Sequence, residues 1–177
     1  EGYPIIRPRN VNNDGLDFKN VDYISKADYH FLTDIHEPCQ GDIVYSRNAS
    51  FGIPCYVEDD RTFAIGQDVV IMTKMEMDTR FLYYVLKSNL VWNQISRLFA
   101  GSTFSRINLG DIRKFIIPRP SGAELLIIVN RLKTIDDKIN IENQSLTKLF
   151  QKKRGLMHDL LTGKVSVKID QKETAHV

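Results

Sequence analysis

The feature that most constrains this chain is an apolar repeat that begins at Leu125 and continues to Leu160. When Leu125 is placed at heptad position a, the a and d positions up to Leu160 number eleven, and nine of them are apolar. Such regularity over about five heptads favours a coiled-coil helix over a chance amphipathic one. The nine residues form what we call the apolar stripe: Leu125, Ile128, Leu132, Ile135, Ile139, Leu146, Leu149, Leu156 and Leu160.

The repeat predicts one long helix over residues 121–163, followed by a tail at 164–177. A helix of about 40 residues is roughly 58 Å long at 1.5 Å per residue, and Gly163 is a suitable left-handed cap for its end. Glu142 and Lys153 interrupt the apolar stripe, and polar residues at such positions often fix register or partner. Because a domain of about 120 residues has a radius of gyration near 13–14 Å, the helix extends beyond it. We therefore expect the stripe to pair with a second helix, from another chain or from a part of the protein outside this sequence.

Residues 1–120 show the frequent turn signals of a compact domain that mixes helices and strands. The run from Asn12 to Gly15 predicts a tight turn, because Asn and Gly tolerate the left-handed conformation. Residues 41–47 predict a turn that leads into a strand, and residues 53–57 predict its return strand, which makes 47–52 a candidate hairpin loop. The β-branched residues in 68–72 predict a buried strand.

Two short helices are predicted to follow these strands. Asp78 is a suitable N-cap for the first, which has apolar residues at helical spacing: Phe81, Leu82, Val85 and Leu86. The second is expected to contain Val91, Trp92, Ile95, Leu98 and Phe99. We interpret the aromatic residues as core and not as a platform for stacked bases. The expected fold class is therefore an α/β (α+β) globular domain followed by one long coiled-coil α-helix.

Composition and cysteine usage favour a cytoplasmic protein without a metal or cofactor. No apolar run is longer than residues 125–129, and the start of the sequence lacks an apolar signal core. Cys39 and Cys55 do not form a CxxC pair, so we expect two buried thiols and no thiolate–metal framework. His30 and His36 flank an apolar stretch without a third ligand at zinc spacing. We expect both histidines to be ordinary loop or core residues.

The charge is unevenly distributed along the chain. Residues 131–172 contain ten Lys or Arg against five Asp or Glu, whereas residues 1–118 contain thirteen against fifteen. A domain that coats DNA non-specifically is usually basic throughout. Any contact with DNA must therefore come from a few local loops and from the basic helix.

The sequence offers no recognisable catalytic motif. It lacks the GxxxxGK[ST] and GxGxxG phosphate loops, the Asn/Asp-Pro-Pro-aromatic segment of amino-group methyltransferases, and Gly-x-Ser-x-Gly. The carboxylates Asp136 and Asp137 beside Lys138 resemble a nuclease set. Asp137 and Lys138 face away from the apolar stripe, however, and fit an ordinary solvated charge pattern. We therefore predict a non-catalytic protein.

Four motifs, in this order, resemble one half of the specificity (S) subunit of type I restriction–modification systems. They are PIIRPRNVNNDGLDFKNVDYIS, GDIVYSRNASFG, GSTFSRINLGDIRKFIIPRP and IDDKINIENQSLTKLFQKKRGLMHDLLTGKVSV. The final LMHDLLTGKV is especially typical of a C-terminal conserved region of that family. One departure lies at the start of the long helix, where Glu124 matches the family pattern but the glutamine that usually follows is replaced by Leu125.

The resemblance implies a DNA-recognition subunit that does no chemistry. It implies that the globular domain (1–120) is a target-recognition domain that reads one half of a split target in double-stranded DNA. The long helices would pair antiparallel and set the gap, and methyltransferase (M) and restriction (R) subunits would dock on the assembly. Such subunits usually have two recognition domains and two helices, whereas this chain has one of each. We therefore expect a homodimer, or pairing with another specificity subunit, and for a two-fold dimer a palindromic target.

The residues that contact DNA are expected in loops. Arg, Asn and Gln are suited to base edges, and Ser, Thr and Arg in a polar segment after Gly101 can reach phosphates or bases. The candidates are Arg47, Asn48, Ser50, Gln67, Ser102, Thr103, Ser105 and Arg106. We expect Phe115, Ile116, Ile117 and the neighbouring prolines to anchor the polar segment to the domain.

Three alternatives remain open from the sequence. The chain can be the C-terminal recognition module of a fused restriction–methyltransferase enzyme, which predicts methyltransferase motifs upstream in the reading frame. It can be the product of a silent, truncated specificity gene that acts only as a coiled-coil dimer. An independent nuclease is a third alternative, and it predicts Mg²⁺-dependent cutting by the purified chain.

Overall fold

The computed structural model describes residues 2–48, 52–73, 77–99 and 106–167. The chain divides into two units, residues 1–125 and residues 126–177. The first is a mixed α/β domain, and the second contains most of one long helix. The expected fold class is thereby confirmed.

Eight short strands form three sheets within the described residues. The strands are β1 (Tyr3–Ile6), β2 (Val11–Asn12), β3 (Gly15–Leu16), β4 (Asp22–Ile24), β5 (Ile43–Ser46), β6 (Pro54–Tyr56), β7 (Ala64–Ile65) and β8 (Val69–Met72). In the first sheet β1 pairs antiparallel with β4 and parallel with β7. In the third sheet β5 is central and pairs antiparallel with both β6 and β8. The strands predicted within 41–47, 53–57 and 68–72 are therefore confirmed.

The N-terminal segment is organised around a buried asparagine. A 3₁₀ turn (Pro8–Asn10) leads into the β2–β3 hairpin, whose turn residue Gly15 has a φ of 119°, as the predicted tight turn requires. Asn10 is 1% exposed. Its Oδ1 accepts a hydrogen bond from the backbone N–H of Arg7, and its Nδ2 donates to the carbonyl oxygens of Asp17 and Asn20. One side chain therefore holds three backbone segments together.

Four short helices accompany the sheets: α1 (Lys26–Thr33), α2 (Thr79–Lys87), α3 (Asn89–Leu98) and α4 (Leu109–Ile112). Asp78 caps α2 through a hydrogen bond from the backbone N–H of Phe81, as predicted. Arg80 on α2 makes two hydrogen bonds of 2.7 Å to the carboxylate of Glu58 and lies 3.5 Å from the centre of the Tyr56 ring. These contacts tie α2 to β6 and the residues that follow it.

The core of the domain lies between the central strands and the hairpin. One cluster of buried residues comprises Ile6, Val11, Val44, Cys55, Val57, Phe63 and Val69. Val91 and Ile95 on α3 are also buried, but Trp92 is 47% exposed. The prediction that Trp92 belongs to the core is therefore wrong, because helical spacing places it beside the buried face and not within it.

The long helix α5 (Gly122–Leu161) contains 40 residues and is about 60 Å long. Beyond it the backbone N–H of Gly163 donates to the carbonyl of Leu160, and Gly163 adopts a φ of 71°. The predicted glycine cap is thereby confirmed. Among the described residues, no helix is long and apolar enough to cross a membrane.

We predict that Asn10→Ala lowers the free energy of unfolding by roughly 2 to 4 kcal/mol, because it removes three partly buried hydrogen bonds and leaves their backbone partners unpaired. Urea denaturation of the purified chain measures this. Asn20→Ala is the control, since its side chain makes one exposed hydrogen bond to Asp17, and it should cost under about 0.5 kcal/mol. Equal losses in the two variants would contradict the role given to Asn10.

Candidate nucleic-acid interface

Three segments far apart in sequence meet at the end of β5. The backbone N–H of Arg47 donates to the carbonyl of Asp68 at 2.9 Å, and the N–H of Ile107 donates to the carbonyl of Arg47 at 2.9 Å. Asn48 and Arg106 form an isolated antiparallel bridge. The residue after β5, the turn before β8 and the segment that begins at Arg106 are thus joined by backbone hydrogen bonds.

The side chain of Asp68 lies at the centre of this junction. Its Oδ2 accepts a hydrogen bond of 3.2 Å from Nδ2 of Asn48, and its Oδ1 lies 2.8 Å from Nε of Arg106 and 3.7 Å from Nη2 of Arg47. The contact with Arg106 is an ion pair without hydrogen-bond geometry, because Oδ1 receives no aligned N–H. We call Arg47, Asn48, Asp68 and Arg106 the Asp68 cluster.

The backbone of Asp68 adopts a left-handed conformation with a φ of 66°, alone among the non-glycine residues that the structure describes. Asp tolerates this region better than most residues, and such conformations persist where the surroundings hold them in place. Here the carbonyl of Asp68 bonds the N–H of Arg47 while its carboxylate faces Asn48 and Arg106. The turn therefore directs both the backbone carbonyl and the side-chain carboxylate of Asp68 toward the junction.

The side chain of Arg47 is buried in the domain, whereas the sequence led us to expect a side chain that reaches DNA. Its side chain is 9% exposed, and its Nε donates to the carbonyl of Ile107 at 3.1 Å. Burial and the neighbouring charge of Arg106 lower the pKa of Arg47, and Asp68 opposes that shift. The side chain was expected outside because an arginine in a hairpin loop is usually solvated. In this position the buried side chain of Arg47 links the end of β5 to Ile107.

Arg106 and Gln67 are the predicted DNA-contacting residues that present side chains to solvent. The side chain of Arg106 is 42% exposed, and Gln67 is exposed in the turn between β7 and β8. Two arginines and one carboxylate leave the Asp68 cluster with one positive charge in excess. The predicted contacts Ser50, Ser102, Thr103 and Ser105 lie outside the described residues.

The segment before the long helix is held by a glutamine. The backbone N–H of Ile116 donates to Oε1 of Gln94 at 2.8 Å, and Nε2 of Gln94 donates to the carbonyl of Ile116 at 3.0 Å. The side chain of Ile116 is 78% exposed, while Phe115 and Ile117 are half-buried. The predicted apolar anchor is therefore wrong for Ile116, which is held through its backbone.

The apolar stripe of α5 is exposed over most of its length. Its members from Leu132 onward are 40% to 60% exposed, whereas Leu125 and Ile128 are partly buried. A groove near the end of the helix is lined by stripe residues and their neighbours, among them Leu149, Leu156, Met157 and Leu160. The stripe thus presents an apolar surface that Glu142 and Lys153 interrupt, with the basic residue Lys152 beside it.

The family model of the type I restriction modification DNA specificity domain matches residues 1–151. The chain belongs to this family. The match confirms the resemblance drawn from the four motifs, and it includes the whole Asp68 cluster and most of α5.

Part of the chain is similar to other members of the family. This chain is 35% identical over 95 residues to the MjaX type I restriction enzyme specificity subunit. It is 32% identical over 98 residues to the MjaVIII subunit, and both relatives are from Methanocaldococcus jannaschii. These matches cover 54% and 55% of this chain, and 22% and 23% of the relatives. The chain therefore matches less than a quarter of the length of either relative.

Solved structures of the family share the fold. The HsdS subunit from Thermoanaerobacter tengcongensis superposes on 97% of this chain with a TM-score of 0.58 and 13% identity, and the S subunit from M. genitalium on 90% with a TM-score of 0.51 and 20% identity. The superposed regions make up 46% and 40% of those chains. This chain thus spans about half the length of a solved specificity subunit.

The sequence did not reveal the position of Asp68 or the proximity of His36, Cys39 and Asp42. Asp68 was treated only as the start of a strand, because nothing in its local pattern indicates a residue that contacts positions 47, 48 and 106. The structure also brings His36, Cys39 and Asp42 together before β5. Their even spacing of three residues was a signal, but a search for zinc motifs with paired cysteines overlooks it.

We predict that Asp68→Asn lowers the free energy of unfolding by roughly 1 to 3 kcal/mol, because Asn tolerates the left-handed backbone but leaves two arginines without a counter-charge. Asp59→Asn is the control, since Asp59 pairs with Arg61 at the surface and should cost under about 0.5 kcal/mol. Urea denaturation compares the two. A loss for Asp68→Asn no larger than that for Asp59→Asn would show that the carboxylate does not hold the junction.

Proposed function

We propose that this chain is a non-catalytic DNA-recognition component of a type I restriction–modification system and works in the cytoplasm. Its globular domain would read one half of a bipartite target in double-stranded DNA. The observation that carries the proposal is the Asp68 cluster, which joins the end of β5, the turn before β8 and the segment that begins at Arg106, and which has an excess positive charge. Membership of the DNA specificity domain family supports the same function.

Some residues would support the DNA-contacting segments, and others would contact DNA directly. Arg47 and Asp68 would hold the loops in place, since both are largely buried and bonded to the protein. Arg106 would contact a phosphate or a guanine edge with the guanidinium group that it exposes. Gln67 is suited to an adenine edge, because its amide offers one donor and one acceptor. The hydroxyls of Ser50, Ser102, Thr103 and Ser105 would contact the DNA backbone or bases.

The charge distribution supports a small footprint on DNA. Residues 1–118 contain more acidic than basic side chains, so a broad electrostatic attachment is disfavoured. The excess charge of the Asp68 cluster is local and adjoins the candidate loops. Binding would therefore depend on a few contacts and on a second recognition domain in the same complex.

The second domain would come from a second copy of the chain. An exposed apolar stripe on one helix is poorly stable in water and is suited to a partner with the same stripe. Two paired copies would supply two recognition domains and two helices, as the family resemblance implies for a whole specificity subunit. This chain matches 46% of the longer solved HsdS chain, so two copies would approach the length of one such subunit. Another specificity subunit is the alternative partner for the same stripe.

The methyltransferase and restriction subunits would supply all chemistry. The chain would hold them in place and direct them to a sequence. This division of labour agrees with the absence of nucleotide-binding and methyltransferase motifs from the sequence. A scaffold without a DNA role, such as the product of a silent gene copy, predicts no sequence preference in any complex that contains this chain.

We predict that Arg106→Ala weakens binding to the target at least roughly 10-fold, because it removes a charged contact to a phosphate or a base. The measurement is the dissociation constant of the complex with its methyltransferase subunit on duplexes selected from a random pool. If the contact is to a phosphate, the slope of log affinity against log salt should fall by about one. Arg61→Ala is the control, since it removes an exposed arginine that pairs with Asp59, and it should change affinity less than about 2-fold.

Equal effects of Arg106→Ala and Arg61→Ala would contradict the proposed contact. Selection that yields no preferred sequence would instead contradict recognition itself and favour the scaffold. Circular dichroism melting of each variant separates loss of binding from loss of folding.

We predict that the purified chain is a dimer at micromolar concentration, and that Leu132→Lys with Ile139→Lys makes it a monomer, because two charges would be buried in the pair. Light scattering gives the mass. The control is Ile127→Lys with Ile141→Lys, since these side chains are 55% and 65% exposed and lie off the stripe by heptad position. A monomeric parent chain, or equal dissociation of both double variants, would refute pairing through the stripe.

A further inference from the structure

The loop between α1 and β5 brings together three side chains that can bind a metal ion. They are His36, Cys39 and Asp42, and their donor atoms lie within 4.8 Å of one another. The sequence shows no third ligand for His36 at the spacing of a zinc motif, whereas the structure brings a thiol and a carboxylate beside it. The three residues recur at intervals of three within a single turn-rich segment.

The distances between the donor atoms are close to those of a tetrahedral zinc site. Sγ of Cys39 lies 3.5 Å from Oδ2 of Asp42, and Nε2 of His36 lies 2.6 Å from the same oxygen. Zinc bonds of about 2.0 to 2.3 Å at tetrahedral angles require donors to be roughly 3.3 to 3.6 Å apart. The thiol and carboxylate already satisfy this, and Nε2 of His36 would move about 0.7 Å away from Oδ2 of Asp42 to reach it.

The chemistry of the three donors also favours zinc. An imidazole nitrogen, a thiol sulfur and a carboxylate oxygen are all common zinc ligands, whereas calcium and magnesium prefer oxygen donors alone. Three protein ligands leave a fourth position for water. Binding would release the thiol proton of Cys39, since the thiolate is the metal ligand.

The loop holds these donors in place without a metal. The buried carboxylate of Asp42 accepts a hydrogen bond from the backbone N–H of Cys39, and the N–H of Asp42 donates to the carbonyl of Cys39. The loop is also bound to the residues after β6, through the N–H of Gly41 and the side chain of Gln40. Cys39 is exposed and the side chain of His36 is 32% exposed, so an ion can enter from solvent.

We propose that His36, Cys39 and Asp42 form a zinc-binding site that fixes the connection between α1 and β5. The ion would cross-link residues 36, 39 and 42 at the start of the strand that ends beside the Asp68 cluster, and its fourth position would be open to water. It is independent of the proposed DNA-recognition function, because none of its ligands belongs to that cluster. Its presence or absence can be measured on the purified chain without DNA.

Cobalt(II) tests the site directly, since it occupies zinc sites and reports thiolate ligation by its absorption. We expect one equivalent of Co²⁺, added to the tag-free full chain, to give visible bands and a thiolate-to-cobalt band in the near ultraviolet. Cys39→Ser should lose the thiolate band, and His36→Ala should weaken binding at least roughly 10-fold. Cys55→Ala is the control and should keep both features, because burial raises the pKa of the Cys55 thiol to about 11.

Zinc should also raise the melting temperature. At a zinc concentration about 100-fold above Kd, a stabilised native state predicts a rise of roughly 5 to 10 °C over the same protein in chelator. The parent chain and Cys55→Ala should show this rise, and Cys39→Ser should not. Comparison of each variant with its own chelator-treated form removes any change in intrinsic stability.

Two results would overturn the proposal. One is a parent chain that gives no thiolate-to-cobalt band and no zinc-dependent rise in Tm. The other is a band that persists in Cys39→Ser and disappears in Cys55→Ala, since it would place the ion elsewhere.

Discussion

An apolar stripe on a 40-residue helix is the constraint on which the architecture depends. Most of its members are between 40% and 60% exposed, and hydrophobic burial contributes roughly 25 cal/mol per Å² of apolar surface removed from water. Helices in proteins gain most of their stability from packing of such a face and not from helix propensity. The stripe therefore favours association, and association would place two recognition domains in one particle. The length of α5, about 60 Å, is suited to a spacer between two contact points on DNA.

In the globular domain, the arrangement of the candidate DNA-contacting segments depends in a similar way on Asp68. Loops that read DNA must be aimed, because the same side chain contacts different bases when its loop is displaced. One carboxylate in a left-handed turn contacts residues 47, 48 and 106. Its contacts join residues that lie 20 and 38 positions away in the sequence, Asn48 and Arg106. A supporting residue of this kind would set the direction of its neighbours without contacting DNA itself.

Local patterns predicted much of the fold. The glycine turn at residue 15, the Asp78 cap and the heptads of α5 were all recognised because each is encoded within a few residues. The candidate site was harder to predict, since its members meet only through the tertiary fold. Residue type drew attention to Arg106 and Asn48 but could not show that Arg47 is buried or that Asp68 contacts both of them. The exposed Trp92 and the backbone anchor at Ile116 were missed for the same reason.

The symmetry of the methylated sequence tests the central claim most directly. Co-expression of the chain with its methyltransferase subunit in a host that lacks other type I systems, followed by methylome sequencing, gives the motif. Two copies paired about a two-fold axis predict a bipartite motif whose halves are inverted repeats, separated by a gap without sequence preference. A single undivided motif, or two unrelated halves, would contradict a recognition unit built from two identical chains.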